Sequence, residues 1–377
     1  MPMKRIVVLG STGSIGESTL DVIRMHPDRF QVAGLSTGFN NRLLESQAEE
    51  FGVKVLGVSS PSTPVASGFE ILTGESSSLE VIRRAQPDIV VNGISGAAGF
   101  LPSLEAVSSG ATLALANKES LVIGGRFLVQ AAKDKGVPII PVDSEHSAVF
   151  QCLNGENSSP VRRIILTASG GPFRNRPAGT FKDITPEEAL HHPTWSMGRR
   201  ITVDSATMMN KALEIIEACW LFGVGIERID VTIHPQSIVH SMVEFMDRSI
   251  KAQLSLPDMR LAIAYALSWP ERMELPLETL RLTEALHLDF LPPDTDKFPA
   301  LSIARHAMSR PEVLPCIMNA ADEVAVDAFL QRRLRFDEIT QVVKKTMDTL
   351  TDSAVEGPQD LMRLDRKSRK TAEAFIP

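Results

Sequence analysis

The chain is poor in the features that would set it apart from an ordinary water-soluble enzyme. Cysteine is scarce: Cys152, Cys219 and Cys316 are the only three in 377 residues, and they are widely separated. No CxxC or metal-finger spacing occurs, which excludes a disulfide scaffold and a zinc module and fits reduced thiols in a cytosolic protein. An excess of positive charge is also missing. The formal net charge is −7, against the basic footprint that non-specific nucleic-acid binding requires. No apolar run of about eighteen residues is present, so no transmembrane helix and no membrane partner are expected. The strand pattern begins by Lys4, leaving no room for a signal or transit peptide, and a cytoplasmic location is expected. Internal repeats and low-complexity tracts are absent.

What is present begins with a nucleotide-type entry. Lys4–Leu9 is a continuous apolar run suited to a strand buried on both faces of a parallel sheet. Gly10, Gly13 and Gly16 follow, and then a helical stretch through Thr19, Ile23 and Met25. Small residues let the backbone approach a pyrophosphate, and a helix N-terminus offers N–H groups to it. The next strand, Phe30–Thr37, ends in Gly38, Phe39, Asn40, Asn41 and Arg42. An NAD site would place an acid there, about 20 residues past the glycines. None is found, which removes the repulsion against a 2′-phosphate and favours NADP.

Further apolar strands end in polar clusters. Pro87–Asn92 leads to Gly93–Gly99, Ala111–Ala116 to Asn117–Ser120, and Val137–Pro141 to Asp143, Ser144, Glu145 and His146. Open α/β sheets bind ligands at such strand ends. Asp143 and Glu145 look like part of an extended strand end, so they reach one point only if the chain bends. With Glu214 they would make an all-carboxylate site for Mg²⁺ or Mn²⁺ rather than Zn²⁺. Solvated loop acids are the alternative. The pattern restarts at Arg163–Ala168, with later strands at Asp230–His234 and Ser241–Phe245, and reads as an α+β domain. His234 is at least as well suited to the core as to catalysis.

The stretch 191–217 reads as a loop with His192, Trp195 and Met197, a short strand at Ile201–Val203, and a helix capped by Asp204 or Ser205. On that helix Asn210, Lys211 and Glu214 share one side. Such a set can hold a phosphate and a metal, or can be a solvated face.

These segments jointly resemble the 1-deoxy-D-xylulose 5-phosphate reductoisomerase family. The resemblance rests on LGSTGSIG (9–16), ANKES (116–120), PVDSEHSA (141–148), TASGGPFR (167–174), HPTWSMG (192–198), VDSATMMNKALE (203–214), HPQSIVHSMVEF (234–245) and LPDMR (256–260). It implies an NADPH-dependent rearrangement and reduction of a sugar phosphate to 2-C-methyl-D-erythritol 4-phosphate in isoprenoid synthesis. It implies Asp143, Glu145 and Glu214 as ligands of one divalent cation (Mn²⁺, Mg²⁺ or Co²⁺), and Ser169, Ser205, Asn210 and Lys211 as phosphate ligands. Ser144 and Lys118 would contact substrate oxygens. His192 would sit on a mobile lid near 191–200, and Lys118, Glu145, His192 and Glu214 would form the catalytic set. Thr12, Gly13, Ser14, Ile15, Gly38, Phe39, Asn40, Asn117, Glu119 and Gly198 would contact NADPH.

The implied fold is a Rossmann-like NADP-binding domain (1–150), an α+β catalytic and dimerisation domain (151–288), a linker (289–311) and a small helical C-terminal domain (312–377), in a homodimer. Two departures stand out. Phe39 replaces a frequent lysine, leaving Asn40, Arg42 or Arg199 to read the 2′-phosphate, and Ser255 replaces a frequent glycine. A homoserine- or semialdehyde-type dehydrogenase would not need three carboxylates, and a non-catalytic NADP sensor would leave those acids free to vary.

Overall fold

The computed structural model describes residues 3–60, 68–156, 161–192, 195 and 197–377. In chain order the first part runs β1 (Lys4–Leu9), α1 (Ser14–Met25), β2 (Phe30–Thr37), α2 (Asn41–Phe51), β3 (Val55–Val58), β4 (Glu70–Thr73), α3 (Ser77–Ala85), β5 (Ile89–Asn92), α4 (Phe100–Ser108), β6 (Thr112–Leu115), α5 (Lys118–Lys135), β7 (Ile139–Pro141) and α6 (Ser144–Leu153). Then come β8 (Val161–Ala168), α7 (Pro186–Ala189), α8 (Arg199–Thr207), α9 (Met209–Phe222), β9 (Ile229–Ile233), β10 (Val239–Phe245), β11 (Ile250–Leu254) and α10 (Met259–Ser268). Helices α11 (Ala300–Ala307), α12 (Leu314–Leu330), α13 (Ile339–Leu350) and α14 (Pro358–Glu373) complete it.

The chain forms two compact units. The first comprises Met1–Ser120, Leu128–Ser147 and Asp258–Leu277; the second comprises Leu121–Phe127, Ala148–Pro257 and Glu278–Pro377. In the first, seven strands lie in the order β4-β3-β2-β1-β5-β6-β7, and every pairing is parallel. Ile6–Leu9 of β1 and Val90–Val91 of β5 are fully buried, as the apolar runs require when helices cover both faces. The strand order turns at β1 and β5, and in open sheets the crevice at that switch point takes the ligand. Helix α10 packs on α1, so a late segment of chain completes this unit.

The second unit holds a four-stranded mixed sheet, β11-β10-β8-β9, with β10 antiparallel to β8 and β11, and β8 parallel to β9. Helices α12, α13 and α14 pack together. Rings of Phe173, Phe181, Phe329 and Phe336 form one cluster, with Phe173 and Phe336 edge to face at 5.2 Å. The expected linker region 289–311 contains α11. All three cysteines are free and buried. Burial pushes Cys152 up to about 11 and Cys219 to about 12, so they are inert thiols at neutral pH.

Two local expectations are corrected. Ile201–Val203 is helical, not a strand: it lies inside α8, whose N-cap is Gly198, so neither Asp204 nor Ser205 caps a helix. Packing against α12 and the Arg200–Asp204 ion pair one turn apart override the β-branched propensity of Ile201, Thr202 and Val203. Glu145 is not at an extended strand end either. It lies in the first turn of α6, and Asp143 Oδ1 accepts its N–H at 3.2 Å. The helix start supplies the bend that the two acids need.

Gly16 has no room for a side chain: a Cβ would lie 2.3 Å from Ser11 Cα and 2.5 Å from Gly10 O, both backbone. At Gly38 nothing lies within 4 Å of a Cβ. Gly16→Ala is expected to cost about 1–3 kcal/mol by overpacking and to lower Tm by roughly 2–10 °C. Gly38→Ala should leave the ligand-free Tm unchanged. Calorimetry of both variants checks this.

Candidate active site

In the first unit the nucleotide-type turn is set by backbone. Gly10, at φ +70°, takes the left-handed conformation that closes the turn against Gly93. Gly13 is the N-cap of α1 and has no side chain to satisfy the first turn, which contains Ser14 and Ile15. That leaves a helix N-terminus whose backbone N–H groups have no side-chain cap, with Glu17 also in its first turn. Thr12 Oγ1 lies 2.6 Å from Thr37 Oγ1, tying the loop to the end of β2. Phe39 is 73% exposed. Asn40 is the N-cap of α2, its Oδ1 accepting the Leu43 N–H at 3.3 Å. Its side chain is thus already engaged. Arg42 stands exposed in the first turn of α2, which carries no acid. These features fit a dinucleotide: an uncapped helix end, open space over Gly38, and a cation in a first turn that holds no acid.

Asn117 does more than the sequence signals. It caps α5 by accepting the Ser120 N–H at 2.9 Å, and its Nδ2 donates to Ile94 O (2.6 Å), Gly96 O (2.9 Å) and Glu119 Oε2 (3.0 Å). Glu119 in turn accepts the Gly96 N–H at 3.1 Å. Asn117 and Glu119 therefore fix the loop after β5 against the start of α5. Buried Asn92, which the sequence reading passed over, ties the same loop to α4 through Gly99 O and Ser103 Oγ.

Beside that cap lies a buried ion pair. Lys118 Nζ is 2.8 Å from Asp143 Oδ2, with side chains 5% and 12% exposed. Burial works to raise the Asp143 carboxyl, but the Lys118 ammonium and a hydrogen bond from His146 outweigh it and hold the group well below the usual carboxylate range. His146, which the sequence places in this polar cluster without a role, is fully buried with Nδ1 3.3 Å from Asp143 Oδ1. Its i,i+3 spacing from Asp143 was the available signal. Ser144 Oγ donates to Glu145 Oε2 at 2.5 Å. The donors offered here are carboxylate oxygens, which fit a hard divalent cation.

The second unit gathers the phosphate-type residues. Strand β8 ends in Ser169, and Gly170 and Gly171 follow at φ +81° and +67°. Ser169 Oγ accepts the Gly171 N–H at 3.2 Å and lies 3.0 Å from His192 Nε2. Because Trp195 N–H donates to His192 Nδ1 at 2.9 Å, the ring proton sits on Nε2 and donates to Ser169. Burial pulls His192 below the ordinary histidine value, which keeps this neutral form. Pro193, Thr194 and Ser196 of the expected lid lie outside the described residues; Trp195 packs near the His240 ring at 6.4 Å.

A Cβ on Gly171 would come within 2.7 Å of Ser205 O, so the glycine loop lies directly on α8. Between α8 and α9 Met208 takes φ +65°, a left-handed joint rare outside glycine. Helix α9 then starts with no side-chain cap and no acid in its first turn, where Asn210 and Lys211 stand. Asn210 Nδ2 donates to Glu214 Oε1 at 2.6 Å, and Lys211 Nζ pairs with Glu214 Oε2. Lys211 and Glu214 are 3% and 1% exposed. This is a buried charge pair and not a solvated helix face. His234 is settled as a core residue: its Nδ1 donates to Asp289 O at 2.8 Å and its Nε2 accepts from Ile238 and Val239 N–H at 3.1 Å. Ser255 hydrogen-bonds His240 Nε2 at 2.9 Å.

Comparison with known proteins agrees with this geometry. Residues 6–125 match the model for 1-deoxy-D-xylulose 5-phosphate reductoisomerase, 139–222 that for its C-terminal domain, and 254–371 that for a DXP reductoisomerase C-terminal domain. The 1-deoxy-D-xylulose 5-phosphate reductoisomerase of Prosthecochloris aestuarii is 47% identical over 380 residues, covering 99% of this chain and 100% of the relative. The structure of that protein from Zymomonas mobilis in complex with NADPH superposes with a TM-score of 0.91 at 41% identity, over 99% of each chain. A DOX-P reductoisomerase crystallised with NADPH, fosmidomycin and magnesium gives 0.92 at 38% identity, over 99% of this chain and 98% of its own. On sequence, fold and the placement of its polar residues, the chain belongs to the 1-deoxy-D-xylulose 5-phosphate reductoisomerase family.

Proposed function

We infer that the chain converts 1-deoxy-D-xylulose 5-phosphate to 2-C-methyl-D-erythritol 4-phosphate, using NADPH and a divalent cation, in the non-mevalonate isoprenoid pathway. The observation that carries this is the family relationship across 99% of the chain. The pairing of a dinucleotide-type turn in one unit with a phosphate-type cluster in the other supports it. NADPH supplies the hydride, and the cation supplies charge stabilisation for substrate oxygens as the carbon skeleton rearranges.

The chain's own residues then divide the work. Asp143, Glu145 and Glu214 form the proposed ligand set for Mg²⁺, Mn²⁺ or Co²⁺. Lys118 adds a compact cation toward substrate oxygens, beside Ser144. Ser169, Ser205, Asn210 and Lys211 hold the phosphate, a remote handle whose binding energy keeps the reacting carbons in register. His192, with its proton on Nε2, bonds at once to Ser169 and to the Trp195 backbone, so it tethers the segment that would cover substrate and exclude water. Thr12, Gly13, Ser14, Ile15, Gly38, Phe39, Asn40, Asn117, Glu119 and Gly198 line the proposed NADPH site. Since Asn40 is committed to its cap, Arg42 is the proposed reader of the 2′-phosphate. A cation in a helix's first turn opposes the helix dipole, a cost that a bound phosphate reverses.

The division into 1–150, 151–288, 289–311 and 312–377 is retained as a functional proposal. A cytoplasmic homodimer is proposed with it. No helix among the described residues is long and apolar enough to cross a membrane. Sheet edge β11 exposes Ile250, and Met246 is exposed in the hairpin before it, the kind of apolar edge that a second subunit covers.

NADPH oxidation followed with 1-deoxy-D-xylulose 5-phosphate and Mg²⁺ or Mn²⁺ should stop on addition of EDTA and return with excess metal. Glu214→Gln keeps the volume but leaves one acceptor oxygen where Asn210 and Lys211 each use one, and it should lower kcat by roughly 10²-fold or more. A near-normal kcat in that variant would remove Glu214 from the ligand set. Arg42→Ala should raise KM for NADPH about 10- to 100-fold and leave that for NADH unchanged, the loss of one charge-assisted contact. His192 has a folded pKa below its ordinary value of 6.5, so its contacts are fully present above that pH and are lost as pH falls below it. The kcat/KM profile should therefore drop on the acid side, and His192→Asn should remove that limb.

A further inference from the structure

Nine-residue α8 has no evident means of holding itself in place. It is too short to be stable alone, it carries three successive β-branched residues, it has no side-chain cap, and it ends in the left-handed Met208. Yet it presents Ser205 beside the Ser169–Gly171 loop with no slack, because that loop lies against the Ser205 carbonyl. Its register must be imposed from outside.

The C-terminal helices impose it through one side chain. Arg200, in the first turn of α8, reaches into α12, with NH1 2.9 Å from Glu323 Oε1, NH2 3.0 Å from Asn319 Oδ1 and NH2 3.6 Å from Asp322 Oδ2. Its Nε lies 3.5 Å from Asp204 Oδ2 on its own helix. Glu323 is shared with Arg369 of α14 at 2.6 Å, and Arg369 also holds Asp365 at 2.8 Å. Asp322 and Asp204 are 0% and 2% exposed. Two guanidinium groups thus face four carboxylates in the interior of one unit. Burial pushes Asp322 up to about 6 despite Arg200 and a hydrogen bond with Asp204, so the cluster is short of positive charge and intolerant of losing Arg200.

We propose that Arg200 is a positioning residue for the substrate phosphate, locking α8, and with it Ser205, onto α12 and α14. The C-terminal helices then contribute to substrate binding without touching substrate. Lysine cannot replace the planar fork, because one ammonium cannot reach Asn319, Glu323 and Asp204 together. The inference rests on the reading of Ser205 as a phosphate ligand.

The test compares Arg200→Met, Arg200→Lys, Ser205→Ala and the Arg200→Met/Ser205→Ala double variant in steady-state kinetics, with NADPH affinity measured by fluorescence. Arg200→Met should raise KM for the sugar phosphate about tenfold or more with kcat within about threefold, NADPH affinity unchanged and Arg200→Lys intermediate. The double variant should be no worse than Ser205→Ala by more than about twofold, since both act at one point. An unchanged KM in folded Arg200→Met, alongside a raised KM in Ser205→Ala, overturns the lock and leaves the phosphate reading standing. An unchanged KM in Ser205→Ala removes that reading and the inference with it. A parallel loss of NADPH affinity in Arg200→Met also overturns it, as general destabilisation. Should Arg200→Met not fold, Glu323→Gln and Asn319→Ala weaken the same lock from the other side. Each should raise KM about threefold with kcat preserved, and no rise in either overturns the proposal.

Discussion

A carboxylate taken out of water without a partner costs several kcal/mol, and this constraint shapes both units. Each unit meets it in the same way, with a buried lysine. Asp143 is held by Lys118 in the first unit, and Glu214 by Lys211 in the second. The first pair exists because β6 and β7 are neighbours in the sheet: Lys118 opens the helix after one and Asp143 stands just past the end of the other. The second exists because residues three apart on α9 share a face. Each of these acids thereby stands beside a buried ammonium.

The anion-binding features follow a different rule and use the backbone. In the first unit, glycine at Gly10, Gly13 and Gly16 opens the N-terminus of α1. In the second, Gly170 and Gly171 bring a loop against α8. Side chains that look like ligands, notably Asn40 and Asn117, are spent on holding these frames in place. In a chain of net negative charge, α9 opens with no acid in its first turn and with the buried Lys211 there, whereas α1 carries Glu17 in its own.

Much of this was legible in the residues, and what was not has physical reasons. Apolar runs at Lys4–Leu9 and Phe30–Thr37 announced buried parallel strands, since no other environment tolerates them. The turn glycines announced themselves by context, and the family by the joint order of its motifs along the chain. Ile201–Val203 misled because β-branched propensity is local, whereas α8 is held by Arg200 and by α12, more than a hundred residues away. The strand β11 carried no alternation strong enough to read, being an edge with Ile250 and Lys251 in solvent. The roles of Asn92 and Asp322 are relations across loops and between helices that spacing alone cannot reveal.

The left-handed joint at Met208 has a consequence for how this protein can change. It divides what could have been one continuous helix and gives α9 a beginning of its own, with Asn210 and Lys211 in the opening turn. The angle at which those two side chains project is therefore counted from residue 208 and not from the start of α8. Adding or deleting a single residue near the joint would turn α9 by about 100° relative to the groups ahead of it. A change of length within this stretch would therefore displace Asn210 and Lys211 from the groups ahead of them, whatever side chains it left in place.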